Sequence, residues 1–176
     1  IGGSDQWGNV MAGIELIRKL ERRQAHGLTL PLLTRADGGK FGKTEAGTLW
    51  LDPNKTRPFD MYQYLLNSDD RDVEHLLKML TLVPLADIVG LMEEHRTNPG
   101  RRAPQRVLAR DFCARIYGES VALEITRAVA ILFGAKAGSL DGAALDHLIP
   151  SVPTARVAKA ALSDLSLSEA LISLGF

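Results

Sequence analysis

Five segments between residues 59 and 133 repeat apolar residues at the spacing of an α-helix. We predict helices over Phe59–Asn67, Arg71–Leu82, Leu85–Arg96, Ala103–Tyr117 and Val121–Phe133. Turn and cap residues separate them, including Ser68-Asp69-Asp70 before the second helix and Gly118 after the fourth. A run of amphipathic helices buries its apolar faces by packing helix against helix, which predicts an α-helical bundle.

The residues before this run predict a different architecture. Gly2 and Gly3 predict a tight turn, residues 10–24 have helical spacing up to a stop at Gly27, and Leu28–Leu33 predicts a buried strand. Strand, helix and strand in this order are typical of an open α/β sheet, whose ligands bind at the carboxyl ends of its strands. The predicted fold class is therefore mostly α, with the C-terminal remnant of a Rossmann-like α/β domain followed by a helical bundle.

We place the boundary between these two parts near Asp60, which gives predicted domains over residues 1–60, 61–150 and 151–176. After residue 134 the spacing weakens, and we predict helices over Asp141–Ile149 and Leu167–Leu174. Because the chain begins with Ile1 and not with methionine, we expect it to be an internal piece of a longer protein.

The composition limits the partners that the chain can attract. It has 176 residues with 21 basic and 21 acidic side chains, so any RNA contact must come from a local basic patch. The single cysteine, Cys113, cannot form an internal disulfide, which favours a cytoplasmic location. No apolar run approaches the ~18 residues of a membrane-spanning helix. The four histidines lack ligand spacing, so we expect no protein-bound metal site.

A glycine-rich segment with two lysines, Ala36–Thr48, follows the predicted strand; we call it the lysine segment. Gly38, Gly39 and Gly42 precede Lys43, and Lys40 lies three residues before it. Glycines let backbone N–H groups approach an anion, and ammonium groups neutralise phosphate charge. The P-loop pattern fails because residue 37 is not glycine and no helix is predicted after Lys43. A phosphate-binding loop and an ordinary basic hairpin turn both stay open.

Two motifs resemble bacterial-type tyrosyl-tRNA synthetases, which are class I enzymes. Lys40-Phe41-Gly42-Lys43-Thr44 resembles their second signature loop, and Gly2-Gly3-Ser4-Asp5-Gln6-Trp7-Gly8-Asn9 resembles their nucleotide and tyrosine contact segment. The family's first signature loop and its tyrosine-specificity residues have no counterpart in the sequence. We therefore expect the isolated chain to be inactive and its longer parent to be the enzyme.

The resemblance implies a role for individual residues. Lys40, Lys43 and Thr44 match catalytic positions, Gly3, Asp5, Gly42 and Lys43 match ATP contacts, and Gln6 matches a tyrosine contact. The local sequence also allows plainer interpretations, in which the lysines are solvated and Gly-Gly-Ser-Asp is a helix-capping turn. Trp7 and Trp50 are interpreted as packing residues.

The resemblance also assigns the helical part and the partners. It implies an anticodon-binding bundle and then the start of a small RNA-binding domain, in an enzyme that uses ATP (with Mg²⁺ alongside it), tyrosine and tRNA(Tyr) and forms a homodimer. Arg96, Arg101, Arg102 and Arg106 form a basic cluster that can hold tRNA phosphates, or can simply be a solvated face. Two alternatives stay open: a non-catalytic helical RNA-binding module, and a relative specific for tryptophan.

Overall fold

The computed structural model describes residues 1–36, 38–39, 41–44, 47–133, 142, 145–146, 149–151, 166–173 and 175. In chain order, its elements are β1 (Gly2–Gly3), α1 (Trp7–Glu21), β2 (Thr29–Leu30), β3 (Lys43–Thr44), β4 (Gly47–Thr48), α2 (Pro58–Leu66), α3 (Val73–Leu80), α4 (Leu85–Thr97), α5 (Ala103–Tyr117), α6 (Glu119–Leu132) and α7 (Leu167–Ser173). The mostly helical fold predicted from the sequence is confirmed. None of the described helices is long and apolar enough to cross a membrane.

Two small sheets lie in the first third of the chain. β1 pairs with β2 in parallel, with Gly2 opposite Thr29 and Gly3 opposite Leu30. β3 pairs with β4 in antiparallel orientation, with Lys43 opposite Thr48. The prediction of a tight turn at Gly2 and Gly3 was wrong, because these residues form a strand themselves.

The prediction of a buried strand over Leu28–Leu33 was also wrong in extent and burial. The strand is limited to Thr29–Leu30, and the side chains of Leu28, Leu30 and Leu32 are 55%, 49% and 49% exposed. An apolar strand is buried only where other layers cover it. Within the described part of the chain β2 pairs only with the two-residue β1, which leaves these leucines uncovered.

Helix α1 differs from its prediction at both ends. It begins at Trp7 and ends at Glu21, where Arg22 takes a left-handed conformation (φ 52°). The predicted stop at Gly27 was therefore wrong. Gly27 lies against α1 instead, and a Cβ built on it would be 2.4 Å from Val10 Cγ1 and 3.2 Å from Ile14 Cδ1. Close packing, and not helix termination, requires glycine there.

The helical bundle is organised around α5, which contacts α2, α3, α4 and α6. All five helices predicted between residues 59 and 133 are present, and the bounds of α5 agree with the prediction. Their inward faces form the hydrophobic core; its fully buried members include Leu65, Leu77, Leu108, Ile125 and Val129. At the end of α5, Gly118 has a φ of 98°, a conformation that glycine adopts readily.

The end of the chain is described only in part. The predicted helix over Asp141–Ile149 lies largely outside the described residues. The last predicted helix is present as α7, over Leu167–Ser173.

Candidate functional site

The first candidate segment begins at Gly3, where two side chains lie close to the backbone. A Cβ built on Gly3 would lie 2.5 Å from Asp5 Oδ1 and 2.9 Å from Leu32 Cδ2. A side chain at this position would displace the ends of the Asp5 and Leu32 side chains, so glycine keeps the Asp5 carboxylate close to the strand. Directly after Gly3 the chain makes a 3₁₀ turn over Ser4–Gln6 and enters α1. No side chain caps either helical start, so Gly-Gly-Ser-Asp is not a turn that caps a helix through a side chain.

Three exposed side chains after this strand form a hydrogen-bonded row. Gln6 Nε2 donates to Asp5 Oδ2 at 3.0 Å, and Asn9 Nδ2 donates to Gln6 Oε1 at 2.9 Å. The row orients the Asp5 carboxylate but uses only part of its acceptor capacity. Asp5 can therefore accept hydrogen bonds from ligand hydroxyl groups, and Gln6 stands beside it.

The parallel pairing of β1 and β2 fixes the relation between the two candidate segments. Gly3 is opposite Leu30, and both strands run toward the same edge. The turn that carries Asp5 and Gln6 and the chain that leads to the lysine segment leave from this edge. In open α/β sheets this edge, at the carboxyl ends of the strands, is where ligands bind.

The lysine segment forms a short hairpin. Lys43 and Thr44 lie in β3, where the structure describes their backbones only. Lys40 lies outside the described residues. Gly42 precedes them with a φ of 79°, and its carbonyl accepts a hydrogen bond from Leu49 N at 2.9 Å. A strand and not a helix follows Thr44, at Gly47–Thr48, which agrees with the rejection of the P-loop pattern.

The helical part anchors this hairpin through side chains that sequence reasoning did not identify. Tyr64 Oη accepts a hydrogen bond from Gly42 N at 3.1 Å, and Asp72 Oδ1 accepts one from Ala36 N at 2.6 Å. The rings of Phe41 and Tyr64 meet edge to face, with centroids 5.3 Å apart. Leu33, Phe41 and Leu49 also pack against the core cluster of the bundle.

Tyr64 occupies a different position on α2 from its fully buried neighbours. Tyr62, Leu65 and Leu66 share the buried face of α2, and Tyr64 is two residues from Tyr62, which places it toward another side of a helix. Tyr64 is partly buried against the core cluster, and its hydroxyl group contacts the lysine segment. Nothing in the local sequence pointed to Asp72.

The two tryptophans were predicted to pack, and the structure leaves both about half exposed. Trp7 is 54% exposed and Trp50 is 49% exposed. Lys55 Nζ lies 4.5 Å from the centroid of the Trp50 ring, a cation–π contact. The structure therefore supports their interpretation as packing residues only in part.

The four arginines of the basic cluster have different surroundings. Arg96, Arg101 and Arg106 are exposed, with Arg101 Nη1 3.6 Å from Glu94 Oε1 and Arg106 Nε donating to the Arg101 carbonyl at 3.1 Å. Arg102 is half-buried, and its guanidinium group donates to the carbonyls of Leu66 and Ser68. Three of the four can therefore face a polyanion, while Arg102 joins the end of α2 to the start of α5.

The buried cysteine and the buried histidine lie in surroundings that suit packing and not catalysis. Burial raises the pKa of the Cys113 thiol to about 12, so this thiol stays protonated and is a poor nucleophile. His95 is buried with Nε2 3.1 Å from Asp70 Oδ1, which also accepts a hydrogen bond from Gln105 Nε2 at 2.6 Å. Across the described positions, no group of three or more histidine, cysteine, aspartate or glutamate side chains has the arrangement of a metal site.

Comparisons with known proteins point to one family. A family model described as tRNA synthetases class I (W and Y) matches residues 1–134. The tyrosine–tRNA ligase of Anaeromyxobacter dehalogenans (strain 2CP-C) is 46% identical over 178 residues, which cover 99% of this chain and 42% of the relative. That of Geobacillus stearothermophilus is 45% identical over 155 residues, covering 88% and 37%.

A solved structure supports the same relation. The C-terminally truncated mitochondrial tyrosyl-tRNA synthetase of Coccidioides posadasii superposes with a TM-score of 0.60 and 36% identity, covering 72% of this chain and 37% of that one. The chain thus spans about 42% of the length of the Anaeromyxobacter relative and less of the other two.

Proposed function

The chain belongs to the class I tRNA synthetases of the tryptophan and tyrosine group, and from this membership we propose that it is part of a tyrosine–tRNA ligase. The observation that carries the proposal is its 46% identity to a tyrosine–tRNA ligase over 99% of the chain. The geometry supports it, because both candidate segments leave the same edge of a parallel strand pair.

The proposed reaction has two steps. A carboxylate oxygen of tyrosine attacks the α-phosphorus of ATP, which forms tyrosyl-adenylate and releases pyrophosphate. A terminal hydroxyl group of tRNA(Tyr) then takes the tyrosyl group and releases AMP. The first step needs oriented reactants and stabilisation of the charge that develops on the phosphates.

The residues of this chain would divide that work. We propose that Gly3 and Asp5 hold the ribose of ATP, since the carboxylate is exposed and the backbone at Gly3 has no side chain in the way. Gln6, hydrogen-bonded to Asp5, would contact tyrosine near its carboxylate. Their common position at the end of β1 supports this assignment.

The lysine segment would act on the phosphates. We propose that Lys40, Lys43 and Thr44 are catalytic and that Gly42 and Lys43 contact ATP, which would arrive with Mg²⁺. Ammonium groups stabilise the leaving pyrophosphate as its charge builds. The left-handed conformation at Gly42 supports its part in the site, because it sets the direction in which β3 leaves.

We further propose an organisation into three domains. Residues 1–60 would end the catalytic domain, 61–150 would bind the anticodon region and 151–176 would begin a C-terminal RNA-binding domain. The exposed apolar side chains of α1 and β2, such as Leu16, Leu20 and Leu30, suit a face covered by further layers of a catalytic domain. Arg96, Arg101 and Arg106 would neutralise tRNA phosphates, with Arg102 as their structural neighbour. On the same family grounds we propose a homodimeric, cytoplasmic enzyme.

A chimaeric enzyme tests the activity. It is made by placing this chain in the Anaeromyxobacter dehalogenans relative in place of the matching segment. We expect exchange of pyrophosphate into ATP that depends on tyrosine. We expect Lys43→Ala to slow this exchange by ~10²-fold or more, as when a transition-state donor is lost, while Lys55→Ala, an exposed lysine nearby, leaves it unchanged.

The alternatives predict other outcomes. A tryptophan-specific relative would show exchange with tryptophan in its own full-length protein, because the chimaera takes its amino-acid pocket from the Anaeromyxobacter relative. A non-catalytic RNA-binding module would give a folded chimaera without amino-acid-dependent exchange that still binds tRNA. Either result would contradict the proposed activity.

A further inference from the structure

The lysine segment is held by two side chains that belong to the helical part. Ala36 N donates to Asp72 Oδ1 at 2.6 Å, and Gly42 N donates to Tyr64 Oη at 3.1 Å. Tyr64 lies in α2, and Asp72 directly precedes α3. The two contacts thus fasten the segment at its first residue and just before Lys43.

The contact at Tyr64 fixes the backbone from which Lys43 leaves. The edge-to-face packing with Phe41 holds the Tyr64 ring, and its hydroxyl group then meets the Gly42 amide. On its other side, the Gly42 carbonyl accepts from Leu49 N at 2.9 Å. Gly42 is therefore hydrogen-bonded through both its N–H and its C=O, immediately before β3.

The Asp72 contact uses a carboxylate in an unusual way. Asp72 occupies the N-cap position of α3, where a carboxylate ordinarily accepts from the first turn of its own helix. It makes no side-chain cap hydrogen bond there. Its oxygen accepts from the Ala36 amide instead, in a charge-assisted bond of 2.6 Å.

A mixed cleft lies beside these contacts. It has a volume of about 320 Å³, and its lining includes Arg35, Phe41, Tyr64, Arg71 and Asp72. The segment thus contacts the helical part through Tyr64 and Asp72 beside this cleft. A change in α2 or at the start of α3 is passed on to the backbone of the segment through these points.

We propose that Tyr64 and Asp72 are positioning residues for amino-acid activation: they hold the lysine segment in the orientation in which Lys43 meets the phosphates of ATP. This inference rests on the proposed function. Neither residue needs to touch the substrates, since each acts through a backbone amide. Their loss should lower the rate of activation and leave tyrosine binding unchanged.

The experiment uses the chimaeric enzyme with matched variants. Tyr64→Phe removes only the hydroxyl group, and Tyr62→Phe makes the same change at a buried tyrosine of the same helix. Asp72→Ala removes the acceptor, Asp72→Asn retains an acceptor oxygen, and Asp87→Ala changes an exposed aspartate in the first turn of α4. Tyrosine-dependent exchange of pyrophosphate into ATP gives kcat and the KM for each substrate.

The expected effects separate positioning from a general loss of stability. Tyr64→Phe and Asp72→Ala should each lower kcat by roughly tenfold, the effect of losing about one hydrogen bond. The KM for tyrosine should stay unchanged, and Asp72→Asn should stay within about twofold of the unsubstituted enzyme. Tyr62→Phe and Asp87→Ala should leave kcat unchanged. Equal kcat values for Tyr64→Phe and Tyr62→Phe would overturn the proposal.

Amide hydrogen exchange supplies a readout that does not need activity. Tyr64→Phe should accelerate exchange at the Gly42 amide and not at Ala36, and Asp72→Ala should do the reverse. If the unsubstituted chimaera shows no tyrosine-dependent exchange of pyrophosphate into ATP, the proposed function fails. Faster amide hydrogen exchange at the predicted amide in each variant would still support the positioning of the segment. Unchanged amide hydrogen exchange at both Gly42 and Ala36 would overturn the positioning role, whether or not the chimaera is active.

Discussion

Replacing Arg102 tests how the start of α5 is joined to the end of α2. Its guanidinium group donates to the Leu66 carbonyl through Nε at 3.2 Å and Nη2 at 3.1 Å, and to the Ser68 carbonyl at 2.9 Å. The backbone of Arg102 is left-handed, with φ 50° and ψ 39°. A substitution therefore changes two terms, the side-chain hydrogen bonds and the strain of the backbone.

The two terms can be separated with alanine and glycine. Hydrogen bonds to a charged group contribute about 1.5–3 kcal/mol, and the lower half of this range applies because Arg102 is only half-buried. Arg102→Ala loses the bonds and keeps the left-handed strain, so we expect it to lower the free energy of unfolding by about 2 kcal/mol. Arg102→Gly also loses the bonds but relieves roughly 1 kcal/mol of strain, so we expect a loss of only about 1 kcal/mol.

Urea unfolding followed by far-UV circular dichroism measures these differences. Arg101→Ala is the matched control, because Arg101 is exposed and its contact with Glu94 is 3.6 Å long. A surface pair of this kind contributes about 0–1 kcal/mol. An Arg102→Ala protein as stable as Arg101→Ala would refute the role of the side chain, and an Arg102→Gly protein less stable than Arg102→Ala would refute the strain argument.

Two further predictions concern the core and an acidic turn. Leu108→Ala, at a fully buried position, should lower the free energy of unfolding by about 2–5 kcal/mol, whereas Leu82→Ala, at a position 79% exposed, should change it by less than about 0.5 kcal/mol in urea unfolding. Hydrogen bonds from the Arg71 side chain and backbone lower the pKa of Asp69 to about 2. Because this pKa is depressed, the stabilisation by Asp69 is present above pH ~4 and is lost as the pH falls toward 2. In a carboxyl titration by NMR, Arg71→Gln should raise the pKa of Asp69, and an unchanged value would contradict the assigned cause.

The helices of the bundle could be predicted because local signals and packing agree there. The inward residues of α5 repeat at helical spacing, Pro104 stands in its first turn and Gly118 follows its last residue. Each of these signals lies within the helix or next to it. The element could therefore be found from its own residues, including both of its ends.

The first part of the chain shows where local signals fail. Leu28–Leu33 has the composition of a buried strand, but burial depends on neighbouring layers that no local window contains. Gly27 follows the α1 pattern and predicts a helix stop, whereas its actual constraint is the contact with Val10 and Ile14. Contacts between distant residues decided both outcomes.

The site divides in the same way. The motifs containing Asp5 and Lys43 could be found from the sequence, and their roles stay predictions. The residues that hold the lysine segment could not be found, because Tyr64 is 22 residues from Gly42 and Asp72 is 36 residues from Ala36. A hydroxyl group on a helical tyrosine carries no sign of which distant amide it will meet.

These distant contacts form one connected path across the proposed domain boundary near Asp60. Arg102 holds the carbonyls of Leu66 and Ser68 at the end of α2, and Tyr64 lies in the same last turn with its hydroxyl group on the Gly42 amide. The hydrogen bond from Arg102 therefore stabilises the turn from which Tyr64 reaches the lysine segment. For this reason the backbone conformation at Gly42, directly before Lys43, depends on the hydrogen bonds that hold the end of α2 in the helical part.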